Sequence, residues 1–284
     1  MCSSDLNNGA SLHAPRPGRC DCGGGAGFVT SHDCNRRRRV CRLRVRHFGW
    51  NGVVAQSIDE LDQAIVKCNK CPRLVAWRKE VSTTKRKSYE KEIYWGKPIP
   101  GFGVEKPSLL ILGLAPGAHG ANRTGRIFTG DSSGDWLYRA LHKAGLAKIP
   151  TSTSIDDGQK LLNTRITCAV RCVPPDNKPT IQERDACAPF LNLEVELLEK
   201  NLKNILALGA FAWKSAIASL ENNEYEIPTP FPKFAHGAEF LAVKGRKQIK
   251  VVASYHPSQQ NTFTGKLTEK MLSDVIVKAF KAPK

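Results

Sequence analysis

The sequence predicts an α/β fold in three layers, with helices on both faces of a central, mainly parallel sheet of four strands. Two observations carry that reading. Four short apolar runs alternate with longer segments whose apolar residues recur at helical spacing. That strand-helix alternation implies a parallel sheet covered on both sides. A third observation sets the scale: 284 residues, 41% of them hydrophobic, suffice to bury a core without external staples.

Order is expected from Ser57, which with Glu60 makes a capping box ahead of Ile58, Leu61 and Ile65. That helix leads into Cys68 and Cys71. The run Lys85 to Glu92 reads as a charged connector. Leu109 to Leu112 is a buried strand ending at Gly113, and Trp136, Leu137, Ala140, Leu141 and Ala144 share one helical face before Gly145. Ile166 to Val170 is the second strand, and Thr180 with Glu183 caps a helix through Leu198. Ile205 to Leu208 is the third strand, followed by a helix around Ala212 to Leu220. Lys250 to Ser254 is the fourth, with a hairpin expected through Lys244, Gly245 and Arg246. Met271, Leu272, Val275, Ile276, Ala279 and Phe280 trace a last amphipathic helix. In such sheets ligands bind beyond the carboxyl ends of the strands, which is where Ala115, Cys172, Gly209 and His256 fall.

Residues 1–56 read as a tail, either disordered or a mis-assigned N-terminal stretch, and residues 57–284 as the domain. The first 50 residues hold nine Arg, three Asp and no Lys, with three consecutive glycines and five of the ten Cys. That composition cannot bury a core. If the tail is a targeting segment, its Arg-rich, acid-poor composition suits an organelle or the nucleus. Otherwise a cytoplasmic, intracellular protein is expected. The net charge is +17 and stays strongly positive without the tail, so a polyanion such as nucleic acid is the expected partner. No run approaches the roughly 18 to 20 apolar residues that span a bilayer, so no membrane partner is expected.

Cys68 and Cys71 are two residues apart, and Cys172 and Cys187 form a looser pair about a hundred residues later. Zinc usually takes a tight pair at each end. The wide second spacing fits a 4Fe-4S cluster better, because the larger core accepts more distant thiolates. Cys168 stays open at this point: on a strand it would share a face with Cys172, four residues on, or be a small buried hydrophobe.

Three stretches carry a specific likeness: GLAPGAHGANRTGRIFTGDSSGDWLYRALHKAG from Gly113 to Gly145, RCVPPDNKP from Arg171 to Pro179, and HPSQQNTFTGKLT from His256 to Thr268. Together they resemble the family 5 (type B) uracil-DNA glycosylases, from about Ile58 to the C-terminus. The related family 4 enzymes share the four-cysteine cluster. The resemblance implies a monomeric enzyme that flips a deaminated nucleotide out of double- or single-stranded DNA, cleaves its N-glycosidic bond and initiates base excision repair. It implies uracil as substrate, with hypoxanthine and ethenocytosine besides. Leu114 stands where family 4 has Glu, which removes a carboxylate from that slot. Gly117 and Pro257 depart from the family 5 pattern and look like family 4, which leaves a family 4-like, uracil-only enzyme as an alternative.

Under that likeness, His256 would donate a hydrogen bond to a uracil carbonyl as negative charge develops, or cap a loop. Asp131 would position water or offset a positive sugar, or cap the helix near Gly134. Asn177 would read the base edge through its amide, or simply turn the chain after Pro174 and Pro175. Phe128 would stack on the base or be a core residue. Gly113, Ala115 and Pro116 would let the backbone approach the base. Ser258, Gln259 and Gln260 would enter the minor groove, with Arg123, Arg126, Lys178 and Lys266 on phosphates. His236 belongs to the site or to the hairpin. The competing readings are a non-catalytic nucleic-acid-binding module stapled by its metal and an electron-transfer protein. Release of a base from DNA separates the glycosylase from both.

Overall fold

The computed structural model describes residues 53–281. The expected tail lies outside them up to residue 52, and Val53 and Ala55 are buried in the core.

The elements follow in order. Helix α1 (Ile58–Val66) and helix α2 (Pro72–Thr84) precede a two-residue strand β1 (Phe102–Gly103). Strand β2 (Leu109–Gly113) leads to the short α3 (Ala121–Thr124) and to α4 (Ser132–Lys143). Strand β3 (Thr164–Cys168) precedes α5 (Ile181–Leu198), and β4 (Asn204–Leu208) precedes α6 (Ala210–Asn222). The hairpin β5 (Glu239–Lys244) and β6 (Lys247–Ser254) is followed by α7 (Gln259–Phe263) and α8 (Glu269–Phe280).

The sheet has six strands in the order β1-β3-β2-β4-β6-β5. The four expected strands are its inner ones and pair in parallel, while β1 and β5 add antiparallel edges. Four strands were expected and six are present. The β1 edge escaped because two residues are too short to show a period, whereas β5 is the first arm of the hairpin expected through Lys244, Gly245 and Arg246, though not counted into the sheet.

Period-two alternation divides the core. Leu110, Leu112, Ile205, Ala207 and Val251 face one layer, where α1, α5 and α6 pack. Leu109, Ile111, Ile166, Leu206 and Val252 face the other, where α4 packs on α8. Helix starts follow the expected caps with one shift. Thr180 and Glu183 complete a capping box on α5. At α1 the Ser57 hydroxyl accepts from the Glu60 N–H, but the Glu60 carboxylate reaches the N–H of Gln56, one residue before the box position. Among the described residues no helix is long and apolar enough to cross a membrane.

Candidate active site

A cavity of about 700 Å³ opens at the carboxyl ends of β2, β3 and β6. A volume of that size suits a whole ligand rather than a single ion. The loop after β2 supplies Leu114, Ala115 and His119, and the run before α4 supplies Phe128, Gly130 and Asp131. The turn after β3 adds Asp176 and Asn177, and the segment after β6 adds His256, Ser258, Gln259 and Gln260.

His256 is half-buried, with its ring 5.8 Å from the Phe128 ring, centroid to centroid, and tilted 31° to it. Burial pushes its imidazole down to about 4, so at neutral pH it is uncharged and carries one N–H. Its carbonyl accepts from the Asn261 side chain at 2.8 Å, while neither ring nitrogen has a hydrogen-bond partner among the described residues. The ring donor is therefore left to whatever enters the cavity. His236, by contrast, accepts the Tyr255 N–H through Nδ1 at 3.2 Å and lies outside the lining. It braces the strand end that delivers His256.

Phe128 adopts φ 51°, a left-handed backbone that costs a non-glycine residue of the order of 1 kcal/mol. Its ring lies so close over the end of β2 that a Cβ on Gly113 would meet it at 3.0 Å. Gly113 thus acts from beneath the ring, outside the cavity lining, and the buried Pro116 also lies outside that lining. Asp131 caps α4, its Oδ1 accepting from the Gly134 N–H at 2.9 Å, and the residue also lines the cavity. Burial raises its carboxyl pKa. Gly120 exists for it, since a Cβ there would stand 1.9 Å from Asp131 Oδ2.

Asp176 and Asn177 occupy consecutive left-handed positions, φ 53° and 56°, which Asn and Asp tolerate better than other residues. Asp176 is a second cavity carboxylate that the sequence reading missed. Lys178 and Lys266 are exposed as expected, the Lys266 ammonium standing 4.9 Å from the Tyr255 ring centroid.

Arg123 and Arg126 correct the expectation of phosphate contacts, because both are buried and paired within the protein. Arg123 joins the Glu92 carboxylate at 2.5 Å and the His119 carbonyl at 2.7 Å. Arg126 joins Asp157 at 2.5 Å and Ser152 at 2.7 Å. Their partners lie about thirty residues away in the chain, so local pattern gave no sign of them.

With this geometry in place, the comparison with known families is decisive: the family model of the uracil DNA glycosylase superfamily matches residues 100–279. The chain belongs to that superfamily. It is 50% identical to the type-5 uracil-DNA glycosylase of Mycobacterium bovis, over 80% of this chain and 82% of the relative. It is 46% identical to the type-5 uracil-DNA glycosylase of Thermus thermophilus, over 76% of this chain and 94% of the relative. Identity to the type-4 uracil-DNA glycosylase of Archaeoglobus fulgidus is 26% over 72% of this chain. The family 5 resemblance stands, and Gly117 and Pro257 are local departures within it.

A second cavity is lined by Cys68, Cys71, Cys172 and Cys187 together with Leu74, Val170 and Phe190. Cys68 follows α1, Cys71 is the N-cap of α2, Cys172 follows β3 and Cys187 lies on α5. All four are free thiols. Donors point at two of the sulfurs: Arg78 Nη1 lies 3.2 Å from Cys172 Sγ, and the Arg171 N–H lies 3.3 Å from Cys187 Sγ. Burial nonetheless pushes the Cys172 thiol up to about 11 and Cys187 up to about 12. Cys168 is placed apart. Strand β3 ends at Cys168, whose side chain packs in the opposite core layer, where a Cβ on Gly113 would meet its sulfur at 3.0 Å. The chain turns before Cys172, so the four-residue spacing does not put the two on one face.

Proposed function

We propose that this protein is a DNA glycosylase that extrudes a deaminated nucleotide, seats uracil against Phe128 and hydrolyses its N-glycosidic bond, the first step of base excision repair. The observation that carries the reading is the His256 ring at the cavity, tilted against Phe128, with neither nitrogen hydrogen-bonded among the described residues. As the C1′–N1 bond breaks, its electron pair leaves with the base, and a cationic sugar is left to take water. A neutral His256 donates its N–H to the uracil oxygen where that charge collects. Such a preorganised donor contributes about 10²–10³ in rate. Asp131 offsets the sugar cation from a fixed position, and Asn177 offers an amide to the base edge. Leu114 and Ala115 put no carboxylate at the turn after β2, so bond dissociation and anion stabilisation carry the step, with little activation of water.

The apolar Leu114 and Ala115 wall also supports a pocket that tolerates hypoxanthine and ethenocytosine besides uracil. The test is direct. Purified protein is incubated with a duplex carrying one uracil, and abasic sites are then cleaved with alkali. A strand break at the uracil is expected, and no break at enzyme excess overturns the proposal.

Cys68, Cys71, Cys172 and Cys187 would hold a 4Fe-4S cluster. The donor set fits: four thiols line one cavity, and donors already address two of the sulfurs. The 14-residue gap between Cys172 and Cys187 supports a core larger than a single zinc ion. The cluster would supply the positive charge that keeps these buried thiols ionised. It would act as a brace, tying the ends of α1 and α2 to the turn that presents Asn177. Cys172→Ser is expected to lose absorbance near 400 nm and thermal stability together, and Cys168→Ser to keep the absorbance. Bleaching by Cys168→Ser contradicts the ligand set.

A further inference from the structure

The charged run between α2 and β1, expected as a connector, closes one side of the cavity: Arg86 and Tyr89 are among its lining residues. We propose that Arg86 grips the DNA phosphate beside the extruded nucleotide, and that Arg123 is the positioning residue that holds this segment against the cavity. The proposal rests on the glycosylase reading above.

Both ends of the segment are tied to the loops of the site. At its start, the Arg86 N–H donates to the Tyr94 hydroxyl at 3.5 Å, and that hydroxyl lies 3.0 Å from His119 Nδ1. Further along, Arg123 works as a strut. Its Nε donates to the His119 carbonyl at 2.7 Å and its Nη2 to the Gly130 carbonyl at 3.0 Å. Its Nη1 meets the Glu92 carboxylate at 2.5 Å, and its guanidinium carbon sits 4.0 Å from the Tyr89 ring centroid. One buried cation thus clamps Tyr89 and Glu92 onto the loop that carries Asp131.

The Arg86 guanidinium itself is exposed and makes no ion pair or hydrogen bond among the described residues. Its neighbour Lys85 is spent on the Glu90 carbonyl at 3.0 Å, and Glu92 is taken by Arg123. Asp131 and Asp176 share the cavity, but neither is paired with Arg86. A fixed segment with an unpaired guanidinium fits a phosphate, which it binds through two parallel N–H donors. The cavity is also larger than a base requires: Phe128 and His256 hold the base, and the Arg86 side remains for the sugar-phosphate. Such a contact sets register without reading sequence.

The experiment measures binding, by fluorescence anisotropy, of a duplex with one stabilised abasic site across about 50–200 mM salt. Arg86→Gln should weaken binding about tenfold near 0.1 M salt and lower the slope of log K against log salt by about one. Lys203→Gln makes the same charge change just before β4, at the opposite end of the strands, and should keep the slope. Arg123→Lys loosens the segment that carries Arg86, so it should weaken binding less than Arg86→Gln and lower the slope by less than one. In the Arg86→Gln background that loss should vanish, because Arg123 acts through Arg86. A merely structural Arg123 would instead lower thermal stability and add its loss to that of Arg86→Gln. Wild-type affinity and slope in Arg86→Gln, or additive losses, overturn the proposal. A wild-type protein that binds this duplex with the predicted Arg86 dependence but releases no uracil would overturn the glycosylase reading and leave the grip standing.

Discussion

The His256 cavity and the polar network behind the cysteine cavity sit on the same sheet and treat polar groups in opposite ways. Behind the cysteines, Glu194 is fully buried between two arginines, with Arg165 Nε at 2.6 Å and Arg171 as its second partner. Arg165 also holds Asp62 on α1 at 2.7 Å, and Thr167 donates to Glu194 at 2.8 Å. Nearly every charge there has its complement, and the network binds α1, β3 and α5 together. Around His256 the ring nitrogens have no hydrogen-bond partner among the described residues, the Asp131 carboxyl pKa is raised, and Phe128, Asp176 and Asn177 sit in left-handed backbone. Closed polarity marks what holds the fold. Open polarity and backbone strain mark where a ligand completes the structure.

The largest effect that tests this contrast lies in the closed region. Glu194→Gln leaves two buried arginines under-compensated and should cost about 3–5 kcal/mol, read as a lower urea midpoint. The pH sign follows from the same pair. The Glu194 carboxyl falls from 4.5 in the unfolded chain to about 2 in the fold, so its stabilisation is complete above about 4.5 and is lost as pH falls towards 2. A melt insensitive to the substitution would show the network is not a brace.

Next come two glycines that touch the same carboxylate. Gly120→Ala would drive a Cβ to 1.9 Å from Asp131 Oδ2, and Gly117→Ala to 3.1 Å. Displacing a site group by about 1 Å can cost on the order of 10² in rate. Gly120→Ala should therefore approach that loss of uracil excision, and Gly117→Ala should stay within about threefold, since a few tenths of an ångström suffice. Equal effects would mean that Asp131 is not placed by this loop.

The smallest effect is an absence of titration. Because the His256 pKa falls from 6.5 to about 4 on folding, the ring stays neutral from pH 7.5 to 5.5, and single-turnover excision should not follow a group near 6.5. Its influence on stability has the same sign as that of Glu194 but a higher pH window: the unfolded chain takes up the proton first, so folding is opposed increasingly as pH drops from 6.5 to about 4. A rate that falls with an apparent pKa near 6.5 would contradict a neutral His256.

Much of this was legible in the sequence. The inner strands and the helices of both layers announced themselves by apolar period, and the strand ends located Ala115, Cys172, Gly209 and His256 at one end of the sheet. The ambiguity of Cys168 was also of the sequence's making, because spacing cannot show where a strand stops and turns. What stayed hidden depends on long-range pairing. Arg123 and Arg126 look like solvated charges until Glu92 and Asp157 are brought to them, and Lys85 to Glu92 looks like a linker until Arg123 draws it over the cavity. Asp176 was passed over because the turn after Pro175 was read for its Asn alone.

The central claim is that His256 acts on the departing base and not as a fold element. The measurement that tests it most directly compares His256→Ala with wild type in single-turnover release of uracil and in affinity for an abasic duplex. Release should slow by about 10²–10³ while affinity changes by no more than about threefold. Equal loss of both would contradict the account and make His256 a structural residue.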